Sequence, residues 1–157
     1  MAYEMPIHIL PYFPPQSPTS MSVQISSISA KVPINRKTKY HFVEATLNGE
    51  RIAIQEFHKG NELAQYPFRP PYSLRSGATL KIQIKRKHRF RKDEILIETD
   101  FTTEIARKHL EEENTSELTD RVLKSHTNFE IRLSFGMRSC KVFWIAWGQA
   151  ASSSICS

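Results

Sequence analysis

Ala78, Leu80, Ile82 and Ile84 alternate one by one with Thr79, Lys81, Gln83 and Lys85. Successive side chains of an extended chain point to opposite faces, so this period of two predicts a strand with one dry and one wet face. Ser76-Gly77 just before it marks a turn. The same rhythm recurs elsewhere in the chain. Met21, Val23 and Ile25 alternate within a β-branched stretch over residues 21–28. In residues 40–47, Val43, Ala45 and Leu47 share one face while Phe42, Glu44 and Thr46 share the other. Phe129, Ile131, Leu133 and Phe135 alternate with Glu130, Arg132 and Ser134, and this last strand is expected to end at Gly136. Asn48-Gly49 follows the second of these segments. Both residues accept φ > 0, which a tight hairpin turn requires. Residues 50–57 are therefore expected to return as the partner strand, offering Ile52, Ile54 and Phe57 for packing.

Between these strands the pattern changes in readable ways. Residues 31–39 carry Pro33, Asn35 and four cations and read as a loop. Residues 66–72 (YPFRPPY) suit an edge segment and a turn, because proline cannot donate to a central ladder. Ile95, Leu96, Ile97 and Phe101 predict a further strand. Residues 102–125 take on a helical idiom. Thr103 is expected to cap one helix running through Arg107, Leu110 and Glu113, and residues 116–120 to start a second, with Leu118, Val122 and Leu123 apolar. Short strands joined by loops, with one helical insertion before the last strand, predict an all-β antiparallel β-sandwich. The expected organisation is a proline-rich, poorly ordered leader over residues 1–20, a sandwich over 21–136 and a tail over 137–157. That tail, with Phe143, Trp144 and Trp147, reads either as an eighth strand or as a weakly packed end.

Charge decides between function classes. The 157 residues carry 22 Lys and Arg against 16 Asp and Glu, a net charge of +6. The excess is uneven: residues 31–92 hold 15 bases and 4 acids, whereas residues 93–130 hold 4 bases and 11 acids. Such a split predicts opposed electrostatic faces rather than a uniformly cationic protein. No apolar run approaches the ~20 residues of a membrane helix. Residues 1–20 have neither the positive nor the apolar region of a signal peptide, and the two cysteines, Cys140 and Cys156, specify no disulfide framework. The expected location is cytoplasmic, with peripheral attachment at membranes. No nucleophile elbow, phosphate-binding glycine loop or His/Asp pair is present, so no catalytic residue and no cofactor is expected. His109 and Glu113 stand four apart but lack the second histidine of a zinc helix, and no metal ligand set is expected.

Several segments, in their order, resemble the C2 domain, a β-sandwich module common in membrane-associated signalling proteins. They are the strand over residues 23–28, the loop containing Lys31, Val32 and Pro33, the YHFVEATL strand at 40–47, the GATLKIQI strand at 77–84 and the loop entering RKDEIL at 91–96. The combination is also similar to divergent fungal versions, some of which accompany nucleotide-binding signalling domains. The resemblance covers about residues 21–135. It implies binding to phospholipid surfaces, and the departures from the family pattern define how. Calcium needs six to eight hard oxygen ligands, whereas this chain holds three aspartates, Asp93, Asp100 and Asp120. The first matching loop has cations and no carboxylate; the other keeps only Asp93 and Glu94, and Ile97 replaces the family's glycine. A calcium-independent mode is therefore expected.

The candidate lipid-binding residues are Lys31, Arg36, Lys37 and Lys39 in one loop, and Lys85, Arg86, Lys87, Arg89, Phe90, Arg91 and Lys92 in the other. The resemblance implies that both loops lie at one end of the sandwich, where fixed cations meet anionic membrane lipids and Phe90, Val32 or Ile34 inserts shallowly. Two other readings stand beside this one. The cations are a solvated loop paired with the acidic 93–130 segment, and a sandwich edge or the acidic helix binds a protein partner. Alternatively, Lys and Arg interleaved with His88 and Phe90 contact nucleic acid, a partner ranked last because the acidic segment repels a polyanion.

Overall fold

The computed structural model describes residues 19–34, 40–58, 60–142 and 154–155. Among the described residues the strands are β1 (Thr19–Lys31), β2 (His41–Leu47), β3 (Glu50–Glu56), β4 (Leu63–Leu74), β5 (Leu80–Arg86), β6 (Glu94–Phe101), β7 (Glu117–His126), β8 (Phe129–Val142) and β9 (Ser154–Ile155). One helix, α1 (Thr103–Glu112), precedes β7. The strands form two antiparallel sheets, one ordered β4-β1-β8-β7 with β9 on β8, the other β3-β2-β5-β6. The chain divides into two units, Val23–Met137 and a second made of Met1–Ser22 with Arg138–Ser157. In the second, β9 pairs with the end of β8 through Lys141↔Ile155 and Val142↔Ser154.

Within Val23–Met137 the core lies between the sheets. Val23, Ile25 and Ile28 of β1 and Ile131, Leu133 and Phe135 of β8 meet Val43 and Ala45 of β2 and Leu80, Ile82 and Ile84 of β5. Apart from Ile28, which follows the register shift between Ile25 and Ser27, these are alternating residues predicted from sequence. Phe101 of β6 meets Phe135 of β8 edge to face at 4.9 Å, tying the two layers together. The β2–β3 hairpin turns at Asn48 (φ 53°) and Gly49 (φ 82°), as the dipeptide requires. β4 is an edge strand of its sheet. Its pairing with β1 jumps from Ile25↔Tyr72 to Ser27↔Pro67, so residues 68–71 leave the ladder where the prolines cannot donate.

Four local expectations are corrected. Ile54 does not join the core: it pairs with Glu44 on the opposite face, while Ala53 and Phe57 pack inward. The helix cap is Thr102, one residue earlier than expected, whose Oγ1 accepts from Ile105 N at 3.2 Å. Over residues 116–120, the expected start of a second helix, β7 opens at Glu117 instead. Asn114 (φ 51°) ends α1, and the spacing of Leu118 and Val122 reflects register shifts against β8 rather than a helical face. Finally, β8 runs past Gly136 to Val142. At Gly136 a Cβ would stand 3.1 Å from the Ser116 carbonyl oxygen, a tight contact that favours glycine there. Of the expected leader, Thr19 and Ser20 belong to β1 and residues 1–18 lie outside the described residues, as do Phe143, Trp144 and Trp147.

Candidate functional site

β1 ends at Lys31 and β2 begins at His41. His41 pairs with Arg86 at the end of β5, and Lys87 N donates to Tyr40 O at 2.9 Å. Tyr40 and the start of the loop over residues 87–93 therefore lie side by side. Arg36, Lys37 and Lys39 lie outside the described residues. Val32 is fully buried in the core, which corrects its expected role as an inserting residue; Ile34 is 59% exposed.

The cations of the second loop fall into two groups. Lys85, Arg86 and Lys87 leave the end of β5 next to acids presented by neighbouring strands. Lys85 Nζ donates to Glu44 Oε1 at 2.7 Å, and Arg51 Nε donates to the other carboxylate oxygen at 2.7 Å. Burial of Glu44 disfavours its charge, but the hydrogen bonds from Lys85 and Arg51 prevail and hold its carboxyl below the usual range. Lys87 Nζ donates to Glu56 Oε2 at 2.8 Å and stands 5.5 Å from the Phe42 ring centroid. Arg86 donates to Glu94 Oε1 at 2.5 Å, and His88 Nε2 meets the same oxygen at 2.8 Å. His88 and Arg86 together draw the Glu94 carboxyl below its ordinary value.

Beyond the strand ends the cations lose their acids. Among the described residues, no carboxylate pairs with Lys31, Arg89, Arg91 or Lys92. Phe90, at the apex, is 91% exposed, and the Arg89 guanidinium stands 5.5 Å from its ring centroid. Two open cavities adjoin this loop. One, of about 630 Å³, is lined by Tyr40 and residues 86–89; the other, of about 440 Å³, by Arg86, His88, Arg91, Lys92 and Glu94. Beneath them His41 is 2% exposed, with Phe57 and Phe129 edge-on at 6.3 and 6.5 Å and its Nδ1 without a hydrogen-bond partner among the described residues.

Sequence reasoning took residues 85–92 as one cationic run; the alternative of pairing with the acidic 93–130 segment covers Glu94, whereas Glu44 and Glu56 were missed. One signal was available: Arg86 closes β5 and Glu94 opens β6, the position of a cross-strand pair in a hairpin. Glu44 was harder to read, because its partners come from β3 and β5. Among the described residues no group of three or more His, Cys, Asp or Glu side chains is placed to hold a metal ion, and no helix is long and apolar enough to cross a membrane. Neither a protein-family model nor a curated protein matches the chain.

Proposed function

We propose that the chain is a C2-like module that binds anionic phospholipid surfaces without calcium, through the end of the sandwich formed by residues 87–93. The observation that carries this reading is Phe90, almost fully exposed and surrounded by Arg89, Arg91 and Lys92 without described counter-ions. An exposed aromatic ringed by unpaired cations suits a surface that is negative outside and apolar beneath. Each cation near such a surface contributes about 1 kcal/mol, and burying a phenylalanine side chain about 1.5–3 kcal/mol. Three cations and one ring give about 4.5–6 kcal/mol, an affinity between about 0.04 and 0.5 mM. The module is then a weak anchor that works with a second contact. The antiparallel sandwich is the architecture that the C2 resemblance implies, and the shortage of aspartates favours direct rather than calcium-bridged contact.

Co-sedimentation with phosphatidylserine vesicles at low salt tests the reading. Binding is expected, unaffected by a chelator and weakened as salt rises. Changing Arg89, Arg91 and Lys92 together to Glu removes it with the melting temperature unchanged. Absence of binding at low salt, or its loss on chelation, overturns the proposal. Localisation in cells that survives this triple change points instead to a protein partner.

A further inference from the structure

Arg86, His88, Arg91 and Lys92 surround a single carboxylate. Both close contacts to Glu94 fall on Oε1, from Arg86 at 2.5 Å and from His88 at 2.8 Å. Arg91 Nη2 reaches His88 Nδ1 at 3.5 Å, so with the Nε2–H tautomer the imidazole accepts from Arg91 while donating to Glu94. The Glu94 side chain is 42% exposed, against 23% for Arg86, so the acid lies on the solvent side of the pair. These residues line the open cavity of about 440 Å³.

We infer that Glu94 is a built-in counter-ion occupying a phosphate site, and that the ligand which displaces it is a phosphomonoester rather than a phosphodiester. This rests on the membrane reading above and narrows its ligand. A tethered carboxylate has one negative charge and needs no association, so a singly charged diester does not compete with it for Arg86 and His88. A phosphomonoester near neutral pH carries about −1.5 to −2 and three acceptor oxygens, enough to engage Arg86, His88 and Arg91 together. Lys92, which lines the same cavity without a described acid of its own, offsets the charge of the displaced Glu94. The site thus discriminates by charge per headgroup, with Glu94 as the residue that sets the threshold.

The test compares vesicles containing phosphatidylinositol monophosphate with phosphatidylglycerol vesicles of equal surface charge, for the unaltered chain, Glu94→Gln and Arg91→Ala. The unaltered chain is expected to favour the monoester lipid by about tenfold, and Glu94→Gln to narrow that ratio mainly by gaining affinity for phosphatidylglycerol. Arg91→Ala weakens monoester binding by a larger factor than phosphatidylglycerol binding, which loses only the share of one surface cation; a melting curve for each variant shows that the fold is retained. Soluble inositol trisphosphate separates the sources of the phosphate. Vesicle preference without soluble binding supports a lipid-borne ligand, and soluble binding without vesicle binding supports the monoester site while ending the membrane reading. Equal affinity for both lipids, or an unchanged ratio in Glu94→Gln, overturns the inference and leaves the membrane reading standing. No binding in any arm overturns both.

Discussion

Glu44 lies in the middle of β2 with a side chain only 7% exposed, held by Lys85 and Arg51. The two partners are not equivalent: the Lys85 side chain is 20% exposed and that of Arg51 56%. A buried carboxylate that loses a buried partner is left poorly solvated, whereas an exposed pair is weakened by water and salt. Lys85→Ala is therefore expected to lower unfolding stability by about 1–3 kcal/mol, and Arg51→Ala by less than about 1 kcal/mol. Urea denaturation measures both, and a larger cost at Arg51 contradicts the assignment. At this scale the sequence was legible for residues whose neighbours are set by parity along one strand, such as Leu80, Ile82 and Ile84. It was not legible for Val32 against Ile34: they share strand parity, but β1 ends at Lys31, and parity no longer sorts faces beyond it.

At the level of elements, the turns of the β2–β3 and β7–β8 hairpins show how much local chemistry decides. Asn48-Gly49 was readable because both residue types accept φ > 0. The β7–β8 turn has the same two left-handed residues, Thr127 (φ 51°) and Asn128 (φ 69°), and no comparable signal in the sequence. A β-branched threonine is a poor choice there, since the left-handed region costs ordinary residues about 1–2 kcal/mol. Replacing Thr127 and Asn128 by Asn and Gly is expected to raise stability by about 1 kcal/mol, read as a higher urea midpoint with unchanged slope. An unchanged or lowered midpoint counts against this account of the turn. β7 was unreadable for a related reason. Its register shifts, with Asp120 at φ 51°, erase the period of two that identifies a strand. By contrast, α1 kept its period: Thr103, Ala106 and Leu110 form one buried face, as the helical spacing required.

For the molecule as a whole, the ion pairs and two histidines act in the same direction with pH. The carboxyls of Glu44, Glu56 and Glu94 are all held below their ordinary value of 4.5, the last two chiefly by hydrogen bonds from Lys87 and His88. Depressed carboxyls stabilise the folded state above the ordinary value, and that stabilisation is lost as pH falls through their folded values. His41 and His109 lie below 6.5, first because burial disfavours the charged ring and then because Arg86 and Arg121 repel it. The unfolded chain then binds protons that the folded chain refuses, so stability also falls as pH drops below about 6.5. The urea midpoint should decline from about pH 6.5 downward, in two stages, histidine first and carboxyl second. A profile flat between pH 7 and pH 4 would contradict both assignments.

The sequence by itself determined the sandwich, the first hairpin, the inward residues of β1, β5 and β8, and the concentration of cations between residues 31 and 92. These depend on alternation, turn chemistry and composition, which act between near neighbours. Only the tertiary structure decided which cations stay at the surface without described counter-ions. Lys85, Arg86 and Lys87 meet Glu44, Glu94 and Glu56 because β2, β3 and β6 stand beside β5, while Arg89, Arg91 and Lys92 extend past the last strand pair. A charge can be counted along a chain, but its counter-ion is chosen by strand pairing, and pairing joins residues that the sequence keeps apart.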